Sequence, residues 1–134
     1  MSGTIIYSDN KISRVLTCSY LFPEDRKSCN VVYDGKVYLG TLVKKQNPFA
    51  LISFTKGNLP VAKIATTEVT KSDPVCHVGI GQARKPEIRI GSMDTITVKT
   101  GNGGAGIFKI ENGEPVLVNL IWARGNSYFP KREE

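Results

Sequence analysis

Two short turn sequences constrain the fold of this chain more than any other feature. Asp34-Gly35 and Asn112-Gly113 each stand between runs of alternating apolar residues. Such pairs favour two-residue β-hairpins, because both central residues of a type I′ turn need positive φ. The predicted hairpin strands are Asn30–Tyr33 with Lys36–Val43, and Ile107–Glu111 with Pro115–Ala123.

The rest of the chain has the same character. Short runs of β-branched and aromatic residues recur about every ten residues, bounded by turn-forming residues. They predict further strands at Ile5–Tyr7, Val15–Thr17, Phe49–Phe54, Pro74–Ile80, Ile88–Ile90 and Thr95–Lys99. We expect one helical turn near Leu21–Lys27, where Pro23 suits a helix start. The pattern predicts an all-β, antiparallel sandwich or barrel.

Length and composition indicate one soluble domain. The chain has 134 residues, and we expect a single domain over 1–124 with a polar tail over 125–134. No apolar run reaches the ~18–20 residues of a membrane span, so no membrane partner is predicted. The three cysteines, Cys18, Cys29 and Cys76, form no disulfide-like or zinc-like spacing. Together with the absence of a secretory signal pattern, they favour an intracellular, cytoplasmic location.

The net charge of +6 leaves nucleic acid open as a partner. Basic residues are spread along the chain, with small clusters at Arg26-Lys27, Lys44-Lys45, Arg84-Lys85 and Lys131-Arg132. This spread favours a solvated basic surface over a dedicated binding face. The alternative is a small barrel that stacks bases on exposed tyrosines beside lysines. Its candidate residues are Tyr7, Tyr33 and Tyr38, with Lys36, Lys44 and Lys45.

The glycine-rich stretch Thr100–Phe108 is the most informative segment for function. It reads Thr-Gly-Asn-Gly-Gly-Ala-Gly-Ile-Phe, a tight loop running into a predicted strand. It resembles the nucleophile loop of trypsin-like serine proteases, whose pattern is Gly-Asp/Asn-Ser-Gly-Gly-Pro. The resemblance implies that backbone N–H groups of Gly101, Asn102, Gly103 and Gly104 would form the oxyanion-hole region, and these four residues are the predicted binding loop.

Five earlier segments resemble the Deg/HtrA-type branch of that family, in the same order. They are Gly3–Asn10, Val15–Tyr20, Asp34–Tyr38, Phe49–Ile52 and Val75–Gly81. The resemblance implies a chymotrypsin-like fold of two small packed β-barrels. It also implies truncation, because the chain begins at the family's second strand. A missing strand would leave a sheet edge open, which a partner or a second copy could cover, so a homo-oligomer is also expected.

The three catalytic positions implied by the resemblance hold unsuitable residues. The histidine position falls on Tyr20, the aspartate position on Pro48 (with Asn47 adjacent) and the nucleophile position on Gly103. A triad needs a hydroxyl to attack, an imidazole to accept its proton and a carboxylate to orient that imidazole. Glycine has no side chain, tyrosine with a pKa of about 10 is a poor base near neutral pH, and proline cannot orient a base. We therefore predict a catalytically inactive domain that binds a protein or a peptide.

Other chemistry finds less support. An active hydrolase could instead use Ser13, Ser19 or Ser53, with His77 or a lysine as base. His77 is the sole histidine, and its neighbour Cys76 should face the opposite side of a strand, so we expect a structural role for His77. No metal site and no cofactor are predicted. The Gly-rich stretch lacks the Lys-Ser/Thr and the helix of a phosphate-binding loop.

Overall fold

The chain folds into two β-sheets. A computed structural model describes residues 1–79, 86–93, 103–122 and 126–127. The strands of the first sheet are β1 (Thr4–Ser8), β2 (Ser13–Cys18), β3 (Ser28–Tyr33), β4 (Lys36–Gln46) and β5 (Phe49–Phe54). Those of the second are β6 (Lys63–Ile64), β7 (Pro74–Gly79), β8 (Glu87–Ser92), β9 (Gly106–Glu111), β10 (Glu114–Trp122) and β11 (Asn126–Ser127). Among the described residues, no helix has the length and apolar character needed to cross a membrane.

The first sheet is antiparallel throughout, in the order β1-β2-β5-β4-β3. The predicted hairpin joins β3 to β4, with Tyr33 opposite Lys36. Asp34 and Gly35 between them have φ of 50° and 76°. The turn chemistry therefore acts as predicted, and it leaves β1 and β3 as the two outer strands of this sheet.

The second sheet has the order β11-β10-β9-β7-β8, and β6 pairs with β10 in parallel. The other pairs are antiparallel. Asn112 and Gly113, with φ of 53° and 79°, join β9 to β10 as the second predicted hairpin. The all-β, antiparallel prediction is confirmed, with the short β6 as its parallel exception.

Each sheet buries its own apolar cluster. Alternation along β5 turns Ala50, Ile52 and Phe54 inward, where they join Phe22 and Val15. Burying one phenylalanine side chain, such as that of Phe54, contributes roughly 1.5–3 kcal/mol to the free energy of folding. The second cluster contains Val75, Met93, Ala105 and Ile107. Two separate cores are what a fold of two packed halves requires.

The helical prediction near Leu21–Lys27 is wrong. The structure instead has a short 3₁₀ turn at Ser19–Leu21, after which Phe22 takes φ −119° and ψ 74°. Residues before proline avoid the helical region, because the proline ring clashes with their backbone. Pro23 then starts a β-turn that the Arg26 N–H closes on the Pro23 carbonyl at 3.0 Å.

Some strand predictions differ at their limits. The predicted strand Thr95–Lys99, together with Ile80 and Ala123, lies outside the described residues. Two short strands were not predicted. Lys63–Ile64 has no alternation to signal it, and Asn126–Ser127 belongs to the stretch predicted as a polar tail. Both are two-residue pairings that depend on β10.

A polar cluster ties the segment between the sheets to β9. The Glu111 carboxylate accepts hydrogen bonds from the hydroxyls of Thr66 and Thr67, each at 2.7 Å. Lys109 Nζ donates to Thr67 Oγ1 at 2.6 Å and to the Glu68 carbonyl at 3.0 Å. The hydrogen bonds from Thr66 and Thr67 stabilise the charged carboxylate, and they lower the pKa of Glu111 from 4.5 to about 2.

This cluster predicts an acid-sensitive contribution to stability. Because the pKa of Glu111 is lower in the folded state, its contribution is complete above pH 4.5 and is lost as the pH falls towards about 2. We expect the urea-unfolding midpoint of the wild type to fall more between about pH 5 and about pH 3 than that of Glu111→Gln. Parallel pH curves for the two proteins would contradict this assignment.

Candidate functional site

The turn that carries Tyr20 is held against the turn that carries Pro48. β2 ends at Cys18, and the Ser19 N–H donates to the Pro48 carbonyl at 2.8 Å. The Phe22 N–H closes the 3₁₀ turn on the Ser19 carbonyl at 2.9 Å. Pro48 is buried, whereas the side chain of Tyr20 is half exposed.

The N-terminal segment covers the turn before β9. The Ser2 N–H donates to the Gly103 carbonyl at 2.7 Å, and the Thr17 hydroxyl donates to the Ser2 carbonyl at 2.8 Å. Gly104 has φ +88°, and a Cβ there would collide with the Ser2 carbonyl. Glycine is therefore required at this position on both conformational and steric grounds.

Tyr20 and Gly103 are in contact. A Cβ placed on Gly103 would collide with Tyr20 Oη, and it would lie 3.3 Å from Tyr20 Cζ and 3.4 Å from Met1 Sδ. Gly103 is buried, so the tyrosine hydroxyl stands where a side chain of residue 103 would begin. Burial raises the pKa of Tyr20, and the neighbouring Cys18 thiol raises it further.

A cavity of about 700 Å³ opens beside this N-terminal segment. Both outer strands of the first sheet line it, and two residues of the second sheet complete the wall. Its apolar lining includes Ile5, Val31, Val32, Phe54, Val78 and Phe108. Among the described lining residues, Asp34 is the one with a charged side chain. The cavity therefore suits an apolar, uncharged occupant.

His77 lies in the middle of β7. Its side chain is fully buried, and across the sheet it is paired with Arg89 and Ile107. Cys76 is half-buried on the other face, as strand alternation predicted. Within the described part of the chain, no three His, Cys, Asp or Glu side chains cluster closely enough to hold a metal ion.

The predicted stacking tyrosines have other contacts. Tyr33 and Tyr38 pack against the first core, and the Tyr38 ring centroid lies 5.4 Å from that of Phe54. Tyr7 donates its hydroxyl to Asp9 at 3.0 Å, and the Arg14 guanidinium lies 5.3 Å from its ring centroid. Tyr33 and Tyr38 are therefore partly used in core packing, and Tyr7 remains half exposed.

Comparisons with known proteins identify the fold. No family model and no curated protein matches the sequence. The structure superimposes on a serine endoprotease from Yersinia pestis with a TM-score of 0.68 and 18% identity, covering 91% of this chain and 50% of that one. It also superimposes on the inactive form of Rv3671c protease with a TM-score of 0.69 and 15% identity, covering 90% of this chain and 70% of that one. This chain has the trypsin-like serine-protease fold.

The protease fold confirms the resemblance found in the sequence. The chain spans about half the length of the Yersinia protein. The fold brings Tyr20 against Gly103, and it links the Tyr20 turn to Pro48 through the Ser19 N–H. Gly101 and Asn102 of the predicted binding loop lie outside the described residues. The other two, Gly103 and Gly104, are buried beneath the N-terminal segment.

The role of Met1–Gly3 in this protease-fold site was missed from the sequence. The segment is too short for periodicity, and its hydrogen bonds are to residues far along the chain. The small side chains of Ser2 and Gly3 are the only signal, since they permit close approach of two backbones.

The contact between Tyr20 and Gly103 predicts a coupling that a double-mutant cycle can measure. Gly103→Ala alone should cost about 1–3 kcal/mol, because the new methyl meets the tyrosine hydroxyl. In a Tyr20→Phe background the hydroxyl is gone, and we expect at least about 1 kcal/mol of that cost to disappear. The free energy of unfolding in urea gives each value.

Gly40→Ala is the matched control for this cycle. A Cβ on Gly40 would meet Ile52 and Val31 at 2.7 and 2.8 Å, with Tyr20 not among its nearest neighbours. The loss of unfolding free energy caused by Gly40→Ala should be the same in the wild type and in the Tyr20→Phe background. Equal costs for Gly103→Ala in both backgrounds would contradict the contact.

Proposed function

We propose that this chain is a catalytically inactive protease-fold domain that binds a protein or a peptide. The observation that carries the proposal is the contact of Tyr20 Oη with buried Gly103, at the position where the sequence resemblance puts the nucleophile. An acyl-transfer nucleophile needs an Oγ with room to reach a carbonyl carbon. Here the residue has no side chain, and a tyrosine hydroxyl takes the adjoining space.

The group at the histidine position supports the same proposal. A general base must be deprotonated near the working pH and must accept a proton in the transition state. The pKa of Tyr20 is raised above its ordinary value by burial and by Cys18, so the hydroxyl stays protonated at neutral pH. Pro48 contributes a backbone carbonyl to the Ser19 N–H, and it has no side-chain group to orient a base.

The alternative nucleophiles have structural roles. Ser13 is fully buried, and its hydroxyl donates to the Lys56 carbonyl at 2.5 Å and is 2.8 Å from Ser8 Oγ. Ser19 is buried, and its N–H holds the Pro48 turn. The Ser13 hydroxyl is therefore engaged in a structural hydrogen bond, and Ser19 is buried, which disfavours both as nucleophiles. Ser53, the third candidate, is half-buried in β5.

The binding half of the proposal is supported by the apolar cavity and by the exposed sheet surface around it. A volume of about 700 Å³ falls within the range of ligand pockets, ~300–1,000 Å³. Large apolar side chains are exposed nearby on both sheets, including Val32, Val37 and Val78. A polyanion would find no basic side chain among the described residues of this lining, which favours a polypeptide over a nucleic acid.

The inactive state predicts a negative result with an activity-based probe. We expect a fluorophosphonate probe to label no serine of the purified chain, and a fluorogenic casein substrate to remain uncleaved. An active trypsin-like protease assayed in parallel provides the positive control. Labelling that disappears in Ser13→Ala, Ser19→Ala or Ser53→Ala would identify a working nucleophile and contradict the proposal.

A further inference from the structure

Within the residues that the structure describes, β3 has a strand on one side only, so its outer edge presents backbone hydrogen-bonding groups. Tyr33 pairs with Lys36 across a two-residue turn, and the Leu42 N–H donates to the Lys27 carbonyl at 2.8 Å. Odd-numbered residues of this segment therefore direct their N–H and C=O groups at β4, and even-numbered residues direct theirs away. Asn30 and Val32 point outward, and within the described part of the chain their outward backbone groups have no partner.

The opposite edge of the same sheet, β1, faces the same cavity as β3. Four successive antiparallel pairings separate β1 from β3, so the two outer strands run in the same direction. Both line the same cavity. One added strand that is antiparallel to β3 is therefore also antiparallel to β1, and it completes an alternating arrangement of six strands.

The groups on β1 determine which edge would supply the hydrogen bonds. The Ile5 carbonyl already accepts from the Ala62 N–H at 2.8 Å. On β3, among the described residues, the outward N–H and C=O groups of Asn30 and Val32 remain available for an added strand. An incoming strand would therefore pair with β3 and would pack its inward side chains against the cavity lining, which includes Ile5 and Phe108.

We propose that the free edge of β3 binds an extended segment of a partner polypeptide, which adds a strand antiparallel to β3 over the apolar cavity. This inference rests on the proposed binding function and assigns it to a site separate from the Tyr20–Gly103 contact. The segment has β-branched apolar residues at alternate positions, because every second side chain points into the cavity. The backbone of the segment supplies the hydrogen bonds. The site therefore selects for an extended strand with apolar residues at alternate positions more than for particular side chains.

The charged residues nearest to the two ends of β3 favour the same direction for the segment. Exposed Arg26 and Lys27 precede the strand, and exposed Asp34 follows it. In an antiparallel partner, the N-terminal end lies near Asp34 and the C-terminal end lies near Arg26. The complementary peptide is therefore basic at its first residue and acidic at its last.

The test uses a seven-residue peptide, Lys-Val-Thr-Val-Thr-Val-Glu-amide, which carries fluorescein on its N-terminal amine through a flexible spacer and is titrated with the full chain by fluorescence anisotropy. We expect saturable binding that weakens by about tenfold or more in Val32→Pro, because proline removes an outward N–H donor. Proline is tolerated at an edge position whose N–H faces away from the sheet, so β3 should still pair with β4.

Val37→Pro is the matched control. Val37 lies directly opposite Val32 and is similarly exposed, at 65% against 59%. The backbone N–H and C=O groups of Val37 point away from β3. Val37 precedes Thr41, where the pairing of β4 with β5 begins. We expect its affinity for the peptide to stay within about twofold of the wild type.

A change in the peptide avoids any effect on folding of the protein. N-methylation of the three valines that face the cavity, or of the two threonines between them, blocks one set of donors at a time. One set, whose N–H groups face β3, should lose binding by about tenfold or more, and the other set should lose less. Exchanging the terminal Lys and Glu should weaken binding about two- to fivefold, in line with exposed ion pairs.

Several outcomes would overturn the inference. It would be overturned if Val32→Pro and Val37→Pro bound the peptide equally, or if the two N-methylated peptides bound equally. Absence of saturable binding to the wild type would also overturn it. Concentration-dependent dimerisation in light scattering that Val32→Pro abolishes would show that a second copy occupies the edge. Competition by single-stranded RNA would show a different ligand class. Peptide binding that is insensitive to Val32→Pro but weakened by Tyr20→Ala would leave the proposed function in place and locate it at the Tyr20–Gly103 contact.

Discussion

A pair of hydrogen bonds at Ser2 joins the two halves of this protein. The Ser2 N–H is bonded to the Gly103 carbonyl of the second half, and the Ser2 carbonyl is bonded to the Thr17 hydroxyl of the first. Gly103 is buried, and leaving a buried backbone group unpaired costs about 1–3 kcal/mol. The positions of the Gly103–Gly104 turn, of Tyr20 above it and of the cavity beside it all depend on this short segment.

The fold separates architecture from chemistry. Two apolar cores and two hairpins maintain a protease-like arrangement of sheets, and none of these elements needs a catalytic group. Catalysis needs an Oγ, a base and a carboxylate in one geometry, and a single misplaced group loses most of the rate. The binding capacity of a sheet edge has no such requirement, because it depends on backbone groups that every residue supplies.

Local features could be predicted from the sequence, and distant contacts could not. The two hairpins follow from Asp34-Gly35 and Asn112-Gly113, because the preference for positive φ is a property of the turn itself. The 3₁₀ turn lies earlier in the chain than the sequence predicts, because Pro23 disfavours a helical conformation at Phe22, the residue before it. The closeness of Tyr20 to Gly103 followed from the protease resemblance. The cover supplied by Ser2 has no local signature, since its partners lie in other strands and turns.

The closeness of Tyr20 and Gly103 beneath an ordered N-terminus is tested most directly by solution NMR. We expect nuclear Overhauser effects between the Tyr20 ring protons and the Gly103 Hα protons. We also expect slow hydrogen exchange at the Ser2 amide, because the Gly103 carbonyl accepts its hydrogen bond at 2.7 Å. No such Overhauser effects, together with fast exchange at Ser2, would show that the nucleophile position is open and would contradict our proposal that this protease-fold chain is inactive.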